Sequence, residues 1–105
     1  MPQYTPAELH ALVFDAPLRT VEIRASAPIV NRHIATLERG FAAPKIPVGD
    51  STVLDHLHWY VAGYVLGRAL PIAKVDPPPG DRIRYSMRQV VFEELDWENM
   101  MGRRP

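Results

Sequence analysis

Residues 18–41 read LRTVEIRASAPIVNRHIATLERGF, and the architecture turns on whether this stretch is one helix or a strand followed by one. Ile23, Ala27, Val30, Ile34, Leu37 and Phe41 recur at spacings of four and three, which on a helix gathers them into one apolar seam. Arg24, Asn31, Arg32, Glu38 and Arg39 fall largely outside it. Pro28 interrupts the hydrogen-bond ladder, so either Ser26 caps a new helix with proline in its first turn or a longer helix kinks there. Against this, Thr20-Val21-Glu22-Ile23-Arg24-Ala25 alternates polar and apolar as a half-buried strand does. The seam keeps its phase across Pro28, so the helical reading is preferred.

A second long helix is expected to pair with it. After the loop 42–49, where Pro44 and Pro47 oppose regular structure, Asp50 or Ser51 can cap a segment striped by Leu54, Leu57, Val61, Tyr64 and Val65. Trp59, Tyr60, Ala62 and Leu66 carry apolar surface around most of its circumference, as on a helix buried on several sides. Gly63 and Gly67, four apart, strip bulk from one face so that a neighbouring backbone can approach. Two seams of this length point to an antiparallel helical hairpin.

The flanks are shorter. Thr5 caps, Pro6 fits the first helical position, Glu8 completes a capping box, and Tyr4 can staple to Leu9, so a helix starts at Pro6. The stretch 71–80 reads as a proline-rich extended spacer. Beyond it, 82–88 alternates, with Ile83, Tyr85 and Met87 on one side, and reads as a strand or arm. Gln89 to Met101 is rich in good helix formers and reads as helix.

The 105 residues carry twelve basic and twelve acidic side chains, so no whole-protein field steers the chain toward nucleic acid or an anionic membrane. No cysteine is present, which excludes a disulfide framework, a thiol nucleophile and thiolate metal sites. Proline is in excess at 11 copies and punctuates the helical pieces. The N-terminal residues lack a basic start followed by an apolar run, and no 20-residue apolar stretch exists. A cytoplasmic protein without a membrane partner is expected.

Three candidate sites emerge. Arg82, Arg84 and Arg88 around Tyr85 form a basic arm able to contact phosphates, in a nucleotide or nucleic acid, although zero net charge argues against a dedicated nucleic-acid binder. The acidic block Glu93 to Glu98 follows at once. With Phe92, Leu95, Trp97 and Met100 it has the aromatic, methionine and charged make-up of a protein interface, in which basic and acidic blocks of two copies could pair. The third is Asp55-His56-Leu57-His58-Trp59-Tyr60. If it is helical throughout, Asp55 and His58 share a face at i,i+3, where a carboxylate could orient an imidazole base, or both could join His33 around a metal. Phosphate loops, nucleophile elbows and zinc-protease motifs are absent.

These readings converge on a mainly α single domain over 1–105: a helical bundle built on a central antiparallel hairpin, with a short N-terminal helix and a C-terminal arm and helix. The alternative is α+β with short strands near 19–25 and 82–88. The expected function is a small non-enzymatic interaction protein that self-associates, as a homo-oligomer, or occludes a partner's surface. Its expected contact set is Arg82, Arg84, Tyr85, Arg88, Phe92, Leu95, Trp97 and Met100, and it needs no cofactor.

Overall fold

Ser26 and Pro28 resolve the stretch 18–41 in favour of strands followed by a helix. The computed structural model describes residues 3–77, 80 and 83–98. Helix α2 (Ala27–Glu38) starts at Ser26, whose hydroxyl accepts the Ile29 N–H, and Pro28 lies in its first turn, where its missing N–H costs no ladder bond. Upstream, β1 (Arg19–Thr20) and β2 (Arg24–Ser26) are extended. The seam therefore holds only from Ala27 to Leu37. Ile23, in the link between strands, is 36% exposed, and Phe41, past the helix end, is 62% exposed.

The expected bundle and its long central hairpin are not found: the chain is mixed α/β. Strands β3 (Ile46–Gly49) and β4 (Thr52–Val53) occupy the loop and the expected helix start. Asp50 and Ser51 do not cap a helix; both have positive φ, 52° and 56°, and make the two-residue turn between antiparallel β3 and β4. Helix α3 (Leu57–Val65) is thus only nine residues long, preceded by His56 in the left-handed region. It does pack against α2. Gly63 and Gly67 have separate tasks. A side chain on Gly63 would meet Leu70 Cγ at 2.6 Å, whereas Gly67, at φ 67°, ends the helix: its N–H and that of Arg68 take the carbonyls of Tyr64 and Gly63.

Helix α1 (Pro6–Leu12) has the capping box read from Thr5 and Glu8, with Leu9 buried. The stretch 71–80 contributes β5 (Ile72–Lys74). Of the expected helix from Gln89 to Met101, the first part is instead a 3-10 turn (Met87–Gln89) running into β6 (Val91–Glu93), residues 97–98 are helical, and 99–101 lie outside the described residues. The strands order as β1-β4-β3-β5 in one sheet and as a parallel β2-β6 pair in the other. Of the alternative's two strand regions, 19–25 contains β1 and part of β2, while among the described residues of 82–88 only Tyr85 pairs, bridging to Thr20.

One core joins these pieces. Val30, Ile34 and Leu37 of α2 meet Leu57 and Val61 of α3, and Leu9, Val13, Met87, Val90 and Phe92 close the end beside α1. Replacing a buried leucine such as Leu57, 1% exposed, by alanine would cost about 2–5 kcal/mol. Among the described residues no helix is long and apolar enough to cross a membrane.

Gly49 provides the sharpest packing test. A methyl group there would lie 2.7 Å from the Asp76 carbonyl oxygen and 2.9 Å from that of Val75, so backbone rather than a flexible side chain would have to move. Gly49→Ala should lower unfolding free energy by about 2–4 kcal/mol in urea denaturation. Thr5→Ala, which removes an exposed cap, should cost about 1 kcal/mol. Equal losses for the two variants would show that the approach of 75–76 to β3 is not tight.

Candidate functional site

α2 and α3 bring two imidazoles and an indole together, and the chain after β6 adds a second indole. His33 from α2 stacks on Trp59 from α3, with centroids 3.8 Å apart and planes 3° from parallel. His58 stands edge-on to His33 at 6.5 Å and to Trp97 at 5.3 Å. These rings wall a cleft of about 380 Å³, within the size range of ligand sites, whose rim carries Glu22, Asp55, His56 and Glu98.

His58 is held by the backbone. Its Nε2 accepts the Ser26 N–H at 2.9 Å, which requires a bare Nε2 and places the ring proton on Nδ1. Burial pushes its pKa below the ordinary 6.5. His33 is pushed down to about 4, first by burial and next by the neighbouring His58. Both rings are therefore neutral at physiological pH.

The outer wall is tied down by charge. Arg32 on α2 forks onto both oxygens of Asp96 and reaches Glu98 Oε1 at 2.5 Å. Arg24 on β2 bonds Glu93 Oε2 at 2.8 Å through its Nε, and Trp97 Nε1 donates to Glu93 Oε1 at 3.0 Å. These two partners, Arg24 first, hold the Glu93 carboxyl below its usual range, and the two carboxylates raise the Arg32 guanidinium above its own. Ser26 Oγ also donates to the Leu95 carbonyl at 2.8 Å.

The three sites read from sequence fare differently. Asp55, His58 and His33 do line one cleft, but Asp55 and His58 do not share a helix face, because α3 begins only at Leu57. Asp55 Oδ1 accepts the His56 N–H at 2.8 Å. Among the described residues no three metal-ligating side chains are grouped to hold an ion. Of the three arginines, Arg82 lies outside the described residues, Arg84 pairs with Asp50, and Arg88 covers the Phe14 ring at 4.7 Å. Tyr85 joins β1 through its backbone.

In the expected contact set, Phe92 is 8% exposed and belongs to the chain's own core, Trp97 is half-buried, and Leu95 is 52% exposed. Met100 lies outside the described residues. The acidic block pairs within the chain, with Arg24 and Arg32 rather than the basic arm. Glu22, Glu98 and the Ser26 amide were missed as site groups. Glu22 and the Ser26 amide reach the cleft through contacts far apart in sequence, which leave no local pattern.

Acid should loosen this arrangement. A histidine whose pKa falls on folding binds more protons when unfolded, so its stabilisation is complete above about pH 6.5 and is lost as pH falls toward 4. Glu93, lowered from 4.5, adds to the loss only below that pH. The Glu98 carboxylate moderates the effect on both histidines and Arg32 strengthens it. Urea midpoints should drop between pH 7.5 and pH 5, and His33→Phe, which preserves the stack on Trp59, should shrink the drop. An identical midpoint at both pH values would show that the imidazoles are not buried neutral.

No family model matches this chain, and no curated protein or solved structure emerges as a significant relative.

Proposed function

We propose that the chain is a non-catalytic interaction domain whose cleft receives the cationic side chain, lysine or arginine, of a partner protein. One observation carries this reading. The cleft joins two indoles and two neutral imidazoles to three carboxylates, those of Glu22, Asp55 and Glu98, with no lysine or arginine among the described residues of its lining. Arg32 is shared between two carboxylates, Asp96 and Glu98, and Asp55 adds a further acidic group to the lining. Aromatic faces attract a cation by about 0.5–2 kcal/mol, and the carboxylates supply longer-range attraction. A phosphate or other anion meets the wrong field.

The same geometry supports binding over catalysis. The Nε2 lone pair of His58 is engaged by Ser26, and an imidazole titrating as low as His33 is a weak base near neutrality. Of the expected contact set it keeps Trp97, while Phe92 belongs to the core and Glu93 and Asp96 are engaged within the chain. The separated contacts of Arg84 and Arg88 weigh against phosphate binding there. A cytoplasmic setting suits a chain without cysteine.

Both tryptophans of the chain line the cleft, so intrinsic fluorescence reports on it alone. Titration with capped Gly-Lys-Gly and Gly-Arg-Gly at low salt should give a saturable change that capped Gly-Glu-Gly does not. Asp55→Asn combined with Glu98→Gln should weaken it at least fivefold, and salt should weaken it further. A flat response to both cationic peptides would sink the proposal.

A further inference from the structure

On the other side of α3 lies a surface of opposite character. Among the described residues β5 pairs in parallel with β3 on one side only and ends the sheet. Along that ladder the Ile46 N–H takes the Pro71 carbonyl and the Val75 N–H gives to the Val48 carbonyl. Odd-numbered residues thus spend their backbone groups on β3. By strand alternation, the N–H and C=O of Ile72 and Lys74 point outward along an unpaired edge.

Beside this edge is a cavity of about 190 Å³, walled by Tyr60, Tyr64, Leu70 and Ile72, with Arg68 and no acidic residue among the described residues of its lining. It is smaller than the roughly 300 Å³ at which small-molecule sites begin and suits a single side chain. Ile72 is 51% exposed at its mouth. Lys74, two residues on, presents its ammonium on the same face as Ile72 and forms no ion pair among the described residues.

We infer that β5 is a docking edge for an extended segment of a partner protein, carrying an apolar residue for the Tyr60–Tyr64 cavity and an acidic residue two positions away for Lys74. The segment adds as a fifth strand, its main chain exchanging hydrogen bonds with Ile72 and Lys74. Charge fixes the choice of occupant. Two copies meeting edge to edge would set β5 ammoniums close together, a like-charge contact that opposes self-pairing. Pro71 and Pro77 bracket the strand and limit how far any pairing can run. A short acidic, apolar-anchored segment avoids the like-charge contact and fits the length that the prolines leave. This site is independent of the cleft and of the cation proposed for it.

The test is selection from a displayed library of random nonapeptides, followed by NMR of the folded full-length protein with the enriched peptide. Enriched sequences should share an apolar and an acidic residue separated by one position. The Ile72 and Lys74 amides should shift and gain protection from hydrogen exchange. Lys74→Pro removes an outward N–H that the sheet does not use, and should cut affinity at least tenfold while melting is unchanged. Lys74→Glu should reverse the preference from acidic to basic peptides. No shared pattern, shifts confined to residues away from β5, or unaltered binding by Lys74→Glu would each overturn the inference. The cleft variants Asp55→Asn and Glu98→Gln should leave this binding intact, so the two sites succeed or fail separately.

Discussion

Ser26 is the joint on which the rest of the structure depends. Its backbone lies in β2 and pairs with β6 at Glu93, while its hydroxyl begins α2 by accepting the Ile29 N–H. The same hydroxyl donates to Leu95, and its N–H reaches across to His58 on α3. One fully buried residue thus fixes the relative position of two helices, a strand and the chain that follows it. A buried polar group without partners would be costly; this one satisfies itself by engaging every neighbour, so packing and hydrogen bonding specify the same arrangement.

The cleft follows from that joint. Burial keeps His58 neutral and its acceptor nitrogen faces the Ser26 amide, and Trp97 meets its ring because the chain after β6 is drawn in by Ser26 and the two arginines. Arg24 is 63% exposed and its pair is screened, so its worth lies in placement more than in energy. Arg32 forks across Asp96 and fixes orientation as well as distance. Acidic residues that resemble an interaction surface in the sequence thereby become one wall of a concavity, while Glu98 keeps its partial exposure at the rim.

What was legible in the sequence was local. The capping box at Thr5 and Glu8 spans four residues, and Ser26 with Pro28 gave a correct helix start as one of two options, because both signals are settled within a turn. The strands were not legible. They are two to four residues long, and three of their pairings, β1 with β4, β2 with β6 and β3 with β5, join segments far apart in sequence. The run around β6 contains good helix formers, and tertiary pairing with β2 overrides that weak preference. At Asp50 and Ser51 the polar residues suited a cap and a tight turn equally, and the neighbouring Gly49, pressed against 75–76, decides for the turn. Among the site residues, the cluster 55–60 stood out by composition, but its partner His33 came into view only as one member of an unverified trio.

The apolar circumference of α3 takes on a different meaning in this setting. A helix apolar on all sides reads as one buried on all sides, yet here two sectors line cavities: Trp59 and His58 face the acidic cleft, and Tyr60 and Tyr64 face the basic one. Leu57, Val61 and Ala62 are fully buried in the core. Aromatic residues suit the two cavity-lining sectors because each joins a broad apolar face to a polar edge and loses little conformational freedom when a ligand covers it. The proposed partners then divide by the opposite charges of the two rims, cationic on one side and acidic on the other. A neutral chain can in this way be selective twice without a net field, since within a Debye length of about 10 Å each site responds to its own rim rather than to the molecule's total charge.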